Sequence, residues 1–311
     1  MAKSPNKSLP LVPKGLSRAI AFLFGPARIA TALVVLAACF LTAWLVVWRH
    51  VAPWVLASSR YRVTADQVIL LPPPPAWIHH HVRDEVLHNA SLDRPLSILD
   101  DDLLDRFTTA MKLHPWIARV NRVTKRSPAR VEVELVYREP VCMVEVSSTE
   151  LLPVDVLGVL LPGEDFSPIE KQSYPRLTGI DTRPMGPAGQ SWGDGRVVGG
   201  AEIADALGPA WQQLKLDRIR PMPQPGPPAA NPPYELFTRA RTRVFWGTAP
   251  GLKAPGEMPA QEKVARLRQY AAQHGSLDGA DGPLDLDVHT LPPAAVPAKP
   301  DESVPGKPDS R

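Results

Sequence analysis

Residues 114–141 read HPWIARVNRVTKRSPARVEVELVYREPV, and this stretch decides how we interpret the fold. In its second half, VEVELVYR (131–138), apolar residues alternate with mostly charged ones, which predicts a strand with one buried and one solvent-facing side. The sequence SPA at 127–129 supplies a turn from a basic strand before it. Pro115 is expected to end a preceding helix, and Pro140 to stop sheet pairing. The stretch therefore predicts two adjacent strands that follow a helix.

The chain before these strands predicts one short strand and two helices. Val68–Leu71 is rich in strand-forming residues and is followed by four prolines, which end sheet pairing. Ile78, Val82 and Val86 repeat at helical spacing and predict the first helix. Aspartates at 100–102 begin the second helix, whose inward positions are Leu103, Leu104, Phe107 and Met111. The predicted order, β-α-α-β-β, belongs to the α+β class.

An uncharged stretch of twenty residues, Ile29–Trp48, lies near the N-terminus. A helix of this length spans roughly 30 Å, the thickness of the hydrocarbon core of a bilayer, so we predict a transmembrane helix. Residues 1–28 carry five basic residues and no acidic one, which favours a cytoplasmic N-terminus, although Arg49, Arg60 and Arg62 weaken the contrast. A cleaved signal peptide is the alternative, but its apolar core is normally shorter, about 7–15 residues.

The C-terminal half predicts a second unit of strands and helices. Leu152–Leu161 (LPVDVLGVLL) predicts two short strands around Gly158, and the segments Tyr234–Thr238 and Arg243–Gly247 predict two more. The remaining predicted elements are a helix that presents Ile203, Leu207, Trp211 and Leu214, a helix over Gln261–His274, and a last strand at 284–289 (LDLDVH).

These elements resemble the extracytoplasmic part of the FtsQ/DivIB family of bacterial cell-division proteins. Residues 60–140 are similar to a POTRA domain, because PWI at 115–117 is followed by a basic strand, a proline turn and a strand that closes on EPV at 139–141. Residues 141–291 are similar to the mainly antiparallel β-domain of that family, and YPRLTG at 174–179 is similar to its short proline and glycine signature.

The resemblance implies a division of the chain into a cytoplasmic tail (1–28), a transmembrane helix (29–48), a POTRA domain (60–140), a β-domain (141–291) and a disordered proline-rich tail (292–311). Three segments depart from the family pattern. Pro72–Pro75 stands where the family has a glycine-containing turn, and Pro221–Pro233 is an insert. Prolines at 292–297 stand where the family has its final edge strand.

Composition and charge narrow the classes of function. With 35 basic against 32 acidic residues the net charge is +3, so no global field attracts nucleic acid. The 37 prolines exceed the usual share of about 5% and mark connectors and a tail. Cys39 in the apolar segment and Cys142 in a strand-like run are not expected to meet, so an oxidising compartment is neither supported nor excluded.

No set of residues predicts catalysis, and no cofactor or metal is expected. His79–His81 with His88 could suggest a metal site, but three consecutive imidazoles cannot face one ion from a helix, so we prefer an exposed helix start. The aspartates at 100–102 are interpreted as a solvated helical turn, and Gly189–Gly200 as a flexible loop without P-loop features. The basic cluster Arg119–Arg130 is a solvated strand face or, alternatively, a docking face for a protein or a membrane.

The resemblance implies a non-catalytic scaffold in the inner membrane at the division site, with its C-terminal domains in the periplasm. In that family the POTRA domain helps recruitment, and the β-domain binds the membrane-anchored proteins FtsB and FtsL. We expect strand addition at an exposed sheet edge. The residues at these surfaces are Val123 and Lys125 for recruitment, and Leu286, Val288 and His289 for the partner edge.

Two other classes of function are alternatives to this scaffold. A POTRA-bearing scaffold for protein transport or assembly is the alternative, although such proteins usually carry repeated POTRA units or a following β-barrel. An enzyme such as a cell-wall hydrolase would need a catalytic set that the sequence lacks. Neither a nucleic acid nor a small-molecule substrate is expected.

Overall fold

The computed structural model describes residues 28–56, 61–224, 231–252, 255–279 and 282–293. Helix α1 spans Arg28–Leu56, and Ala30–Val51 within it is the one stretch of the described residues that is long and apolar enough to cross a membrane. None of that stretch is buried inside the protein. The predicted transmembrane helix is thus confirmed as a candidate span. The predicted tails, 1–28 and 292–311, lie almost entirely outside the described residues.

The first globular part contains β1 (Arg62–Val63), β2 (Val68–Leu71), α2 (Val82–Asn89), β3 (Leu96–Ser97), α3 (Leu103–Lys112), β4 (Ile117–Arg126) and β5 (Arg130–Tyr137), with a 3-10 turn at Ala65–Gln67. Strands β2, β5 and β4 form a three-stranded sheet in that order, in which β2 is parallel and β4 antiparallel to β5. Strands β1 and β3 form a small separate pair. The predicted order of elements is therefore present, with this pair added.

A hydrophobic core, which we call the N-terminal core, lies between the three-stranded sheet and helices α2 and α3. Strand β5 contributes Val131 and Val133 from one face, as its alternation predicts. Helix α3 contributes Leu103, Phe107 and Met111, which recur every four residues and so form one stripe. Each such buried side chain stabilises the fold by about 1.5–3 kcal/mol. The stripe therefore fixes α3 on the sheet.

The second part contains β6 (Cys142–Ser147), β7 (Glu150–Val154), α4 (Pro168–Ser173), β8 (Arg176–Leu177), α5 (Gly195–Leu207), α6 (Ala210–Gln213), β9 (Leu216–Pro221), β10 (Tyr234–Thr238), β11 (Arg243–Gly247), α7 (Ala260–His274) and β12 (Asp285–Asp287), with 3-10 turns at Gly163–Asp165 and Pro250–Leu252. Its seven strands form one sheet in the order β12-β11-β10-β9-β8-β6-β7.

The seven-stranded sheet is mixed. The pairs β6-β8, β8-β9 and β11-β12 are parallel, and the other three pairs are antiparallel. Parallel neighbours need a long crossover connection, and helices α5 and α6 supply one between β8 and β9, as α7 does between β11 and β12. The α+β class is confirmed, and the antiparallel strand pairs contain 14 of the 21 residue pairs of this sheet, against 7 in the parallel ones.

Helices α5, α6 and α7 pack with the seven-stranded sheet in a second core, which we call the C-terminal core. Close approach of α5 depends on two glycines. A Cβ at Gly200 would lie 2.6 Å from a methyl carbon of Leu177, and one at Gly199 would collide with the Tyr234 hydroxyl. The prediction of a flexible loop over Gly189–Gly200 is therefore wrong in its second half. From Gly195 onward these residues belong to α5, which packs against the sheet.

Two further local predictions are wrong. The single helix expected over residues 203–214 is divided between α5 and α6, because Gly208 has a positive φ of 43° and Pro209 follows it. Ile78 is buried as expected but lies before α2, which begins at Val82. In both cases the apolar spacing identified buried positions and not the bounds of the helix.

Candidate partner-binding surfaces

Strand β12 forms an open edge of the seven-stranded sheet, since it pairs with β11 alone among the described strands. The N–H of Arg243 in β11 donates to the carbonyl of Leu284 at 2.8 Å. Because main-chain groups alternate in direction along a strand, the N–H groups of Asp285 and Asp287 face away from β11. These groups, with the Asp285 carbonyl, could pair with a partner strand.

The three residues predicted at this edge have different environments. Val288 is completely buried, and Leu286 packs against the C-terminal core while partly exposed. His289 is half-buried, with its Nε2 at 3.6 Å from Glu257 Oε1 and its ring 6.1 Å from that of Phe245. The side chains of Leu286 and Val288 therefore anchor the edge strand, and its main chain and the His289 ring are what a partner could contact.

Helix α7 holds the chain that follows β12. Arg266 Nη1 donates to the carbonyl of Leu291 at 2.8 Å and to that of His289 at 3.2 Å. Its Nη2 donates to Glu262, one helical turn earlier, at 2.7 Å. Leu291 itself is buried. The proline-containing segment thus begins under α7, fixed by a guanidinium whose rigid geometry suits several acceptors at once.

Strand β4 is the second candidate surface and one of the two edge strands of the three-stranded sheet. It pairs with β5 alone among the described strands, and its register shifts at two points. Arg119 and Arg122 are exposed, while Arg126 bonds to Glu132 at 2.8 Å. Bulges and charged side chains are usual on edge strands that do not aggregate with other chains.

The two residues predicted for recruitment lie on β4 but face the helices. Val123 lies opposite Val133 and packs against the N-terminal core. Lys125 is partly buried, and its Nζ donates to the carbonyl of Asp100 at 2.6 Å, which ties the strand to the start of α3. Neither side chain is freely available, so the accessible features of β4 are its main chain and its arginines.

The N-terminal core extends across to the second part of the chain at Asp165. Trp116 Nε1 donates to Asp165 Oδ2 at 2.6 Å, and His80 Nδ1 bonds to Oδ1 at 2.5 Å. His79 Nδ1 bonds to the Asp165 carbonyl at 2.7 Å, and the Phe166 ring packs 6.0 Å from that of Trp116. The segment around Asp165, predicted to lie in the second domain, therefore belongs to the N-terminal core by packing.

A second polar contact joins the same two parts. Arg138 Nη1 donates to Asp155 Oδ2 at 2.6 Å, and both side chains are largely buried. Nearby, burial lowers the pKa of His114 below its ordinary value, although Glu85 at 3.5 Å partly opposes that effect. The consecutive histidines contribute instead to the contact at Asp165, through His79 and His80. Within the described ranges no group of three or more His, Cys, Asp or Glu residues could hold a metal ion.

Sequence reasoning missed Asp165, Glu257 and Arg266, all of which fix the surfaces described above. Asp165 and Glu257 are single charged residues that no local pattern marks. Arg266 does have Glu262 at helical i,i+4 spacing, but that spacing does not predict its bonds to the carbonyls of His289 and Leu291. The capping-type sequence SPIE after Asp165 does predict the start of α4, where Ser167 accepts a hydrogen bond from the Glu170 N–H.

Comparison with known proteins bears on these surfaces. No protein-family model matches the chain. The chain is similar to the cell division protein FtsQ of Myxococcus fulvus, with 33% identity over 141 residues. That match covers 44% of this chain and spans 44% of the length of the relative. This relative belongs to the family that residues 114–141 indicate, so the resemblance to that family is confirmed over the matched part of the chain.

Proposed function

We propose that this protein is a non-catalytic, membrane-anchored scaffold of bacterial cell division that binds other division proteins outside the cytoplasm. The name of its relative supports a role in cell division, and the candidate span in α1 supports a single anchor. The observation that carries the proposal is the open edge of β12, where Leu286 packs against the C-terminal core while part of the main chain faces outward.

The proposed partners are FtsB/FtsL-like proteins, themselves anchored in the membrane, which add a strand to β12. Each main-chain hydrogen bond of such an added strand contributes about 0.5–1.5 kcal/mol. Because Leu286 and Val288 are held by the core, the edge is ordered before binding, which reduces the entropy lost on association. His289 lies two residues after β12 and is the predicted edge residue whose side chain a partner could contact.

The second proposed surface is the POTRA domain, assigned to residues 60–140, with recruitment to the division site through β4. Since Val123 and Lys125 face the helices, we propose that recruitment uses the β4 main chain and the exposed arginines. The N-terminus is proposed to be cytoplasmic and the globular parts periplasmic, with 141–291 as the β-domain.

The experiment that tests the β12 edge is capture of the partner from membranes by variants of the full chain. Asp285→Pro removes an outward N–H without breaking a bond to β11 and is expected to abolish capture. Asp285→Ala, which keeps that N–H, is the matched control and should capture normally. Equal capture by both variants would reject strand addition at this edge. Substitutions at Leu286 or Val288 are unsuitable, because both side chains pack in the core.

Localisation separates this proposal from the transport alternative. A fluorescent fusion of the full chain should form a ring at mid-cell in dividing cells. A uniform envelope signal through the whole cell cycle would instead favour a POTRA-bearing scaffold for protein transport or assembly.

A further inference from the structure

The open edge of β12 has two chemically different faces, because successive side chains along a strand point to opposite faces of the sheet. Leu286 and Val288 lie on the face that carries the C-terminal core. Asp285 and Asp287 therefore lie on the opposite face, where Asp285 is exposed and Asp287 is half-buried. A strand added to this edge has the same alternation, so its side chains meet apolar residues on one face and two carboxylates on the other.

The two carboxylates of β12 have no basic partner among the described residues. None of the ion pairs in this part of the fold includes Asp285 or Asp287. Asp285 lies opposite Arg243 in β11, but Arg243 pairs with Glu235 in β10 instead. Asp287 accepts a hydrogen bond from the main-chain N–H of His289 at 2.9 Å, and an amide leaves its charge in place. The edge therefore presents two negative charges that no ion pair neutralises.

The basic groups that follow this edge in the fold are already paired with other acids. Lys263 forms an ion pair with Glu257, whose carboxylate also lies 3.6 Å from His289 Nε2. Arg266 pairs with Glu262, one helical turn earlier, at 2.7 Å. These basic side chains are therefore occupied by Glu257 and Glu262, and a cation that pairs with β12 has to come from the partner.

Charge decides which occupant fits the edge. Opposite charges on directly facing residues of paired strands attract each other, and like charges there repel. Two copies of this chain that paired through β12 would place aspartate opposite aspartate, so the charges disfavour a second copy. A basic strand is favoured, because its cationic side chains face the carboxylates while its main chain completes the hydrogen bonds. On the other face Leu286 is only half-buried, so an apolar side chain of the partner covers it.

We propose that the strand which adds to β12 alternates basic and apolar residues, with Lys or Arg at the two positions that face Asp285 and Asp287. This inference rests on the proposed function and deepens it, because it states the chemistry of the partner at the same edge. Each facing pair of opposite charges raises the affinity about threefold, and two pairs raise it about tenfold. Asp285→Ala removes one charge and lowers the affinity about threefold, which still permits capture of the partner from membranes.

The test uses the full chain in a non-ionic detergent and three fluorescent peptides of about six residues, a usual strand length. In these peptides valine alternates with lysine, with threonine or with glutamate, and fluorescence anisotropy gives each dissociation constant. The lysine peptide should bind about tenfold more tightly than the threonine peptide, and the glutamate peptide about tenfold more weakly. The preference should shrink when the salt concentration rises from about 0.05 M to about 0.5 M, because salt screens exposed charges.

Asp285→Asn combined with Asp287→Asn removes both charges and keeps a side-chain oxygen that accepts the His289 N–H. The three peptides should bind this double variant with equal affinity. Asp101→Asn combined with Asp102→Asn is the matched control, since it removes two exposed charges just before α3. This control should keep the full preference for lysine.

The outcomes separate this inference from the proposed function. Equal binding of all three peptides to the native chain, with loss of binding in Asp285→Pro, means that β12 accepts a strand without regard to charge, and only the inference is overturned. A preference for lysine that persists in the double asparagine variant overturns it as well. If no peptide binds, or if Asp285→Pro binds the lysine peptide as tightly as the native chain does, strand addition at this edge is rejected together with the inference.

Discussion

Replacing Asp165 with alanine is expected to lower the free energy of unfolding by about 2–4 kcal/mol. Asp165 belongs to the short turn that joins the second part of the chain to the N-terminal core, and its side chain is completely buried. Its two carboxylate oxygens accept hydrogen bonds from Trp116 Nε1 and His80 Nδ1. Alanine removes both acceptors at once, and solvent reaches only one of the two donors.

Most of this expected loss comes from Trp116. Its side chain is only 1% exposed, so its N–H cannot bond to water once Asp165 is gone. A hydrogen bond to a charged group contributes about 1.5–3 kcal/mol, and a buried donor left alone costs about 1–3 kcal/mol. Relief of the buried carboxylate charge offsets part of this sum. The side chain of His80 is 52% exposed, so its ion pair adds at most about 1 kcal/mol after solvent screening.

The free energy of unfolding can be measured on the full chain in detergent, from protease susceptibility at increasing urea concentrations. Asp165→Asn keeps an oxygen acceptor for Trp116 and should lose about half as much stability as Asp165→Ala. His80→Ala should lose less than about 1 kcal/mol. Stability of Asp165→Ala within about 0.5 kcal/mol of the native chain would refute this reasoning. So would a loss in His80→Ala as large as in Asp165→Ala.

Three other predictions follow from single positions. Gly247→Ala should destabilise the chain by about 2–4 kcal/mol, because φ is +90° and the new Cβ would lie 2.6 Å from a carboxylate oxygen of Glu257. Gly275→Ala is the matched control, with φ +82° and open space around it among the described residues. It should lower the free energy of unfolding by about 1 kcal/mol in the same urea assay. Burial lowers the pKa of His114 below 6.5, so the unfolded chain binds this proton more tightly than the folded chain. The free energy of unfolding should therefore fall as the pH drops below 6.5, and it should fall less in His114→Gln. Burial raises the pKa of the Cys142 thiol, so in a Cys39→Ser chain a maleimide should label Cys142 only after unfolding, and rapid labelling of the native chain would contradict its buried position.

Local patterns in the sequence predicted those elements whose side chains alternate or recur regularly. Strand β5 and helix α3 have one apolar face each, and both were expected from spacing alone. Strand β9 was missed, because it ends in Pro221 and its exposed positions are charged. The first turns of α5 could not be predicted, because glycine has a low helix propensity. The helix is favoured here by close packing of Gly199 and Gly200 against the sheet, which a local pattern does not show.

The surfaces were less predictable than the fold. The last strand was expected at 284–289, and the structure places it at the sheet edge, but which of its side chains are buried depends on α7. Lys125 illustrates the same limit, since its bond to the Asp100 carbonyl joins residues 25 positions apart. The contact of His80 with Asp165 spans 85 positions, so the run of histidines by itself did not predict this partner.

The parallel pairing of β12 with β11 has a consequence for the order in which the chain folds. Arg243 lies opposite Asp285, so closing this pair constrains the whole intervening segment, including α7. Contacts between residues distant in the chain stabilise the fold only after the loop between them has closed, and such contacts slow folding. The proposed partner edge therefore becomes available only after α7 and the sheet have assembled. A partner that adds to β12 would select completely folded molecules and leave incompletely folded ones uncaptured.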